Sequence, residues 1–243
     1  MKAKSAVLSS KRPPAAAKPA AGKRRATARL PASERRAQIQ AKAFEFFSEY
    51  GLTAQTRALA EACGVSQRLL YSAFPNKAAL INAVYEAEIA GPFKAIWFVQ
   101  LRDRSVALAE RLKKFYGEYY DTILTRRWLR LFLYASLAEV EIAPTYIAAI
   151  IRTLLQIIVE EAAFDCGCEV PADPAIVQEI GWTLHGNISH LAIRRHIYGN
   201  DSSMGTHDVI ALHVAAFLAI MPAVLAPGQA DAQADAQAKR RGS

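Results

Sequence analysis

From Thr56 to Leu80 the chain reads TRALAEACGVSQRLLYSAFPNKAAL. Its residue types predict two short helices, roughly Gln55–Ala62 and Ser66–Ser72, meeting at a tight corner. Ala60 is small where the two helices must cross, and Leu59, Cys63, Val65 and Leu70 are the apolar plugs of that corner. Gly64 supplies the positive φ that the turn needs, which other residues adopt at a cost. Ser66 is placed to cap the second helix. The first exposed residues of that helix are then Gln67, Arg68 and Leu69, where a recognition helix meets base edges in a major groove. Helices this short are unstable alone and must pack on neighbours.

Upstream, Ile39, Ala43, Phe46 and Phe47 form an apolar stripe at helical spacing. They predict a helix from an N-cap at Ser33 to about Glu49, stopped by Gly51. Downstream, Lys77 to about Ile89 predicts a longer helix that must break at Gly91-Pro92. No segment alternates apolar and polar residues as a half-buried strand does, so the expected class is all-α.

This pattern resembles the tetracycline-repressor (TetR) family of bacterial transcription regulators. The matching residues are Gly51, Thr56, Leu59-Ala60, Cys63-Gly64-Val65-Ser66, Leu70-Tyr71, Phe74 and Lys77, within a span from Glu34 to Tyr85. The resemblance implies an N-terminal three-helix helix-turn-helix DNA-binding domain, residues 33–80. A C-terminal helical domain for ligand binding and dimerisation, residues 81–225, would follow. It also implies that Thr56 and Tyr71 contact phosphates and that Arg57 reaches toward a guanine edge. Gln67, Arg68 and Leu69 would read bases, and Lys77 would clamp a phosphate. Arg68 stands where many members carry glycine, and Ala73 where many carry an aromatic residue or histidine. The operator sequence therefore does not transfer from a relative.

Charge is segregated along the chain. Of a net charge of +8, residues 1–32 hold nine basic side chains (Lys2, Lys4, Lys11, Arg12, Lys18, Lys23, Arg24, Arg25 and Arg29) and no acidic one. The other 211 residues are therefore one unit negative. Residues 1–32 read as a disordered basic arm suited to nucleic acid or another acidic surface. Residues 226–243, rich in repeated Gln-Ala-Asp, read as a disordered tail.

The remaining breakers predict helices over 93–101, 105–125, 127–140, 144–164, 174–198 and 206–221. Val177, Ile180, Leu184, Ile188 and Leu191 make one stripe; Val209, Leu212, Ala216 and Ile220 make another. Together they are expected to form the interface of a homodimer. Aromatic residues of the middle helices are expected to line an effector cavity: Trp97, Tyr116, Tyr119, Trp128 and Phe132, joined by Trp182 and His185.

The five histidines include no i, i+4 pair beside a carboxylate, so no metal is expected. Cys166-Gly167-Cys168 lacks two further ligands for zinc, and strain in so short a loop argues against a disulfide. Phosphate-binding glycine loops, a nucleophile elbow and paired catalytic carboxylates are absent from the sequence, so neither an enzyme nor a cofactor is expected. The apolar run 210–226, interrupted by His213 and Pro222, falls short of a membrane span.

These readings describe a ligand-responsive, cytoplasmic regulator of double-stranded DNA. It would be a homodimeric repressor released from a palindromic operator by a small apolar or aromatic effector. A ligand pressing on the helix that starts at Lys77 would change the spacing of the two reading heads. The competing reading is a helix-turn-helix architectural protein without an effector.

Overall fold

The computed structural model describes residues 31–138, 142–200 and 203–225, and among them every regular element is helical. The arm and the tail expected at the two ends lie outside the described residues, apart from Pro31 and Ala32. The chain divides into two compact units, residues 1–90 with 130–142, and residues 91–129 with 143–243.

The first unit opens with α1 (Ala32–Tyr50), α2 (Thr56–Ala62), α3 (Gln67–Ala73) and α4 (Lys77–Val84). Ile39, Ala43, Phe47, Leu59, Leu70, Phe74 and Leu80 close its core, none more than 2% exposed. Helix α1 starts one residue before Ser33, and Pro31 holds the cap position with no side-chain hydrogen bond. The fixed φ of proline already suits a helix start, so the serine is not needed there. Gly51 and Gly64 take φ of 78° and 68°, as the turns required. Ser66 Oγ accepts from the Leu69 amide at 3.2 Å, and Asn76 Oδ1 from the Ala79 amide at 2.8 Å. Helix α4 widens into a π-helical turn at Tyr85–Ala90 before Gly91.

Helix α7 (Arg126–Leu137) spans the division between the units, which a boundary at residue 80 does not anticipate. Its Arg130 donates to the carbonyls of Ser48 and Glu49 and to the hydroxyl of Tyr134, fastening this part of α7 to the end of α1.

In the second unit α5 (Ile96–Leu101), α6 (Leu108–Thr122), α8 (Ile142–Tyr146, whose first residue belongs to the other unit), α9 (Arg152–Cys166), α10 (Pro174–His196) and α11 (Thr206–Leu225) follow. Pro144 sits in the first turn of α8, where proline is tolerated, and a π-helical turn at Ile147–Ile151 joins α8 to α9. Helices α9 and α10 approach closely at Gly181, where an added Cβ would lie 3.1 Å from the Leu155 Cα. Helix α11 does not stop at Pro222 but runs through it to Leu225.

Three sequence expectations change here. The stripe Val177, Ile180, Leu184, Ile188 and Leu191 is buried inside this unit, as is His185. It cannot also face a partner, because α10 packs against α6, α9 and α11. Residues 142–166 and 206–225 are, by length and composition, long and apolar enough to cross a membrane. Core helices pass the same test, and α9 buries Leu154, Leu155, Ile157, Ile158 and Val159 completely. Finally, Cys166 and Cys168 are joined by a disulfide with their Cα atoms 5.4 Å apart. Gly167, at φ 66°, folds the chain back enough to bring the sulfurs together.

The loop between α5 and α6 is tied down by charge. Arg111, buried on α6, donates to the carbonyls of Leu101 and Val106 and to Glu161 of α9. Arg104 adds a two-pronged contact to the same carboxylate at 2.9 and 3.1 Å. Burial pushes the Glu161 carboxyl up, but the hydrogen bonds from Arg104 and Arg111 overcome it and hold the group below its usual range.

Candidate nucleic-acid interface and aromatic cluster

The N-terminal turn of α3 projects from the first unit. Gln67 and Arg68 are exposed and Leu69 is half-buried, while Leu70 on the opposite side is 2% exposed and anchors the helix. One face thus packs and the other is exposed. Arg57 is exposed on α2. Tyr71, 42% exposed, donates its hydroxyl to Thr56 Oγ1 at 3.3 Å, so the two residues expected at phosphates stand side by side. A long, weak bond of this kind leaves both hydroxyls able to turn toward a phosphate oxygen.

Lys77 has a partner that its sequence position did not announce. Its ammonium donates to the Ala54 carbonyl at 2.7 Å, and burial lowers its pKa. Two donors remain for an anion. Cys63 in the corner is unsuited to chemistry, because burial raises its thiol pKa to about 11.

In the second unit Trp97, Tyr116, Tyr119 and His185 are each no more than 3% exposed. They pack ring against ring: Trp97 on Tyr119 at 6.1 Å, Tyr119 on His185 at 5.5 Å, and Tyr116 on His185 at 6.0 Å. Trp182 meets His185 edge-on at 5.3 Å. The polar tips are paired weakly. The Tyr116 hydroxyl lies 3.4 Å from His185 Nδ1, and the Tyr119 hydroxyl 3.3 Å from that of Tyr146. Trp97 donates to Glu118 at 2.8 Å.

Five of the seven expected lining residues therefore meet directly. Trp128 joins through Tyr146, whose ring it touches at 5.5 Å. Phe132 belongs to the other unit, where it is half-buried. Tyr146 escaped the sequence reading because its partner Tyr119 lies 27 residues away, on another helix.

Burial raises the pKa of Tyr116 and Tyr119 well above the ordinary phenol value and lowers His185 to about 4. The cluster is therefore uncharged at neutral pH. His185 titrates near 6.5 once unfolded, so below that pH the unfolded chain takes a proton that the folded chain refuses. Stability must then fall as pH drops from 6.5 toward 4. Between pH 7 and pH 5 the loss from His185 is about 2 kcal/mol. Urea unfolding of the wild type and of His185→Leu should show this difference; equal pH profiles would mean that His185 is charged in the folded protein.

Among the described residues the class is therefore all-α, with a helix-turn-helix corner in one unit and a second helical unit. Residues 39–84 match the family model described as "Bacterial regulatory proteins, tetR family". The chain is similar in structure to a protein from Mesorhizobium loti MAFF303099 assigned to the TetR-family regulators, with TM-score 0.57 and 14% identity, over 79% of this chain and 98% of that one. A Streptomyces coelicolor TetR-family regulator gives TM-score 0.56 and 18% identity over 82% and 86% of the two chains. The flavonoid-responsive regulator FrrA gives 0.51 and 21% over 78% and 95%. No curated protein matches the chain by sequence. The chain thus carries the N-terminal domain of the TetR family and has the fold of TetR-family regulators.

Proposed function

We propose that the chain is a cytoplasmic, dimeric transcription regulator that binds double-stranded DNA through α3. It acts as a repressor and leaves a palindromic operator when a small neutral effector binds the second unit. The observation that carries the reading is the bare N-terminal face of α3, Gln67 and Arg68, flanked by the adjacent hydroxyls of Thr56 and Tyr71. A regulator needs no catalytic group, and this reading asks for none.

The partner surface is on α11. Leu212 and Ile220 are 57% and 46% exposed, and Ala215, Ala216, Ala219, Ala223 and Val224 complete an apolar strip at three-and-four spacing. A two-fold interface sets the same strip against itself.

The effector reading rests on the aromatic cluster. Its hydroxyls and neutral imidazole suit an uncharged aromatic molecule carrying hydroxyl or carbonyl groups. A flavonoid is a reasonable first probe, FrrA being described as flavonoid-responsive. The π-helical turn at Tyr85–Ala90 and Gly91-Pro92 is one of the chain connections through which such binding would be felt at the reading head. An architectural protein would have no use for the buried hydroxyl pairs of the cluster.

The test uses duplexes selected by the protein from a random pool. Arg68→Ala should cost about 1–3 kcal/mol and relax preference at one base position, because a bidentate arginine–guanine contact is worth about that much. Lys77→Ala should weaken all sequences alike, with a small loss of stability from the freed Ala54 carbonyl. Unchanged affinity and base preference in Arg68→Ala would remove α3 from the DNA interface.

A further inference from the structure

We infer that the groove between the start of α1 and α3 seats a phosphate of the DNA strand opposite the one met by Thr56 and Tyr71. Helix α3 is then clamped to both backbones of the major groove. This rests on the DNA-binding reading above and adds a second anchoring site to it.

The groove has the lining that a phosphate needs. Ala32, Ser33, Arg35 and Arg36 of α1 form one wall, Leu69, Ser72 and Ala73 of α3 the other, and about 290 Å³ lies between them. That is several times the ~30 Å³ of a water molecule, so a sugar-phosphate unit has room to enter. Two arginines and two serines line it, whereas Glu34, the acidic residue in the first turn of α1, does not. Both residue types hold phosphate oxygens without regard to sequence. Arg36 donates to the Ala73 carbonyl and lies over the Phe74 ring at 4.0 Å. It thereby pins the two walls together and keeps its charge at the groove.

Direction around α3 supplies the independent observation. At about 100° per residue, Tyr71 lies about 60° to one side of Arg68, while Leu69 and Ala73 lie about 100° and 140° to the other. Tyr71 bonds to Thr56 at 3.3 Å, so that hydroxyl pair occupies one flank of the helix. The groove occupies the opposite flank. A helix lying in a major groove about 12 Å wide has one phosphate backbone on each side. Contacts on both flanks fix how far the helix is rolled about its axis, which contacts on one flank leave free.

The experiment uses the full chain and duplexes that it selects from a random pool. Ethylation interference maps which phosphates of each strand must stay charged. Arg35→Gln with Ser72→Ala should erase interference on one strand of a half-site, and Tyr71→Phe on the other strand. Arg35→Gln alone should flatten the slope of log K against log salt by about 0.9 per subunit bound. Ser72→Asp, at an exposed position, sets a carboxylate against the phosphate and should weaken all sequences about tenfold, with base preference kept. Melting temperature and helix content identify a variant that fails to fold; if Arg35→Gln does, Ser72→Asp decides.

Interference lost from the same strand as in Tyr71→Phe overturns the inference while leaving the DNA-binding reading intact. So does a folded Ser72→Asp variant that binds as the wild type does. If the unaltered chain selects no duplex, the DNA-binding reading itself falls.

Discussion

Aspartate at both Leu212 and Ile220 should turn a dimer into a monomer and cost more than 100-fold in affinity for a duplex carrying two half-sites. Both side chains are about half exposed on α11, so neither contributes to the core of its own chain. The fold should survive, and helix content should match the wild type. In a two-fold interface each substitution appears twice, burying four carboxylates among alanine and valine with no cation to pair them. Leaving a buried charge without its partner typically costs 3–5 kcal/mol, so the pair of substitutions exceeds what an ordinary dimer interface can absorb. Once the subunits separate, each reading head must find its half-site alone, and the gain from linked binding is lost. Light scattering gives the mass, and titration of the selected duplex gives the affinity. A variant that stays dimeric at micromolar concentration would move the interface off α11.

Arg111→Met should destabilise the second unit by about 3–5 kcal/mol, or roughly 6–15 °C in Tm. Methionine fills similar space, so the loss reports charge and hydrogen bonding rather than a cavity. Arg111 and Glu161 are each about 5% exposed at the side chain, and their contact is 2.8 Å. Without the guanidinium, the carbonyls of Leu101 and Val106 lose a donor, and Glu161 keeps only Arg104, which is half exposed. The double variant Arg111→Met, Glu161→Leu should regain much of the loss, because removing both charges also removes the desolvation penalty. A single variant costing less than 1 kcal/mol would show that Arg104 alone satisfies the carboxylate. Glu161 is held below its ordinary pKa, so its contribution is present above about pH 4.3 and fades as pH falls through the folded value.

Much of the first unit was written in residues close together along the chain. Gly64 and Ser66 fix the corner and the start of α3 through contacts within five residues. Asn76 does the same for α4. Such signals survive reading one residue at a time, because the partner of each group lies in the same turn. The family resemblance and the exposed Gln67-Arg68 face follow from that local grammar.

Elsewhere the deciding partner is distant. Helices α10 and α11 both present apolar stripes, and periodicity cannot say which stripe another helix of the same chain will cover. The packing of α10 on α6, α9 and α11 buries Val177 through Leu191, while Leu212 and Ile220 stay exposed on α11. Pro222 looks like a stop, yet α11 continues past it to Leu225. The internal partner of Lys77 is 23 residues away, and Tyr146 meets Tyr119 across 27. The composition and spacing of 243 residues thus determined the helical class, the corner and the exposed face of α3. Which apolar face is core, which is free, and which hydroxyls converge on His185 depended on long-range packing, where shape and burial choose among surfaces that are chemically alike.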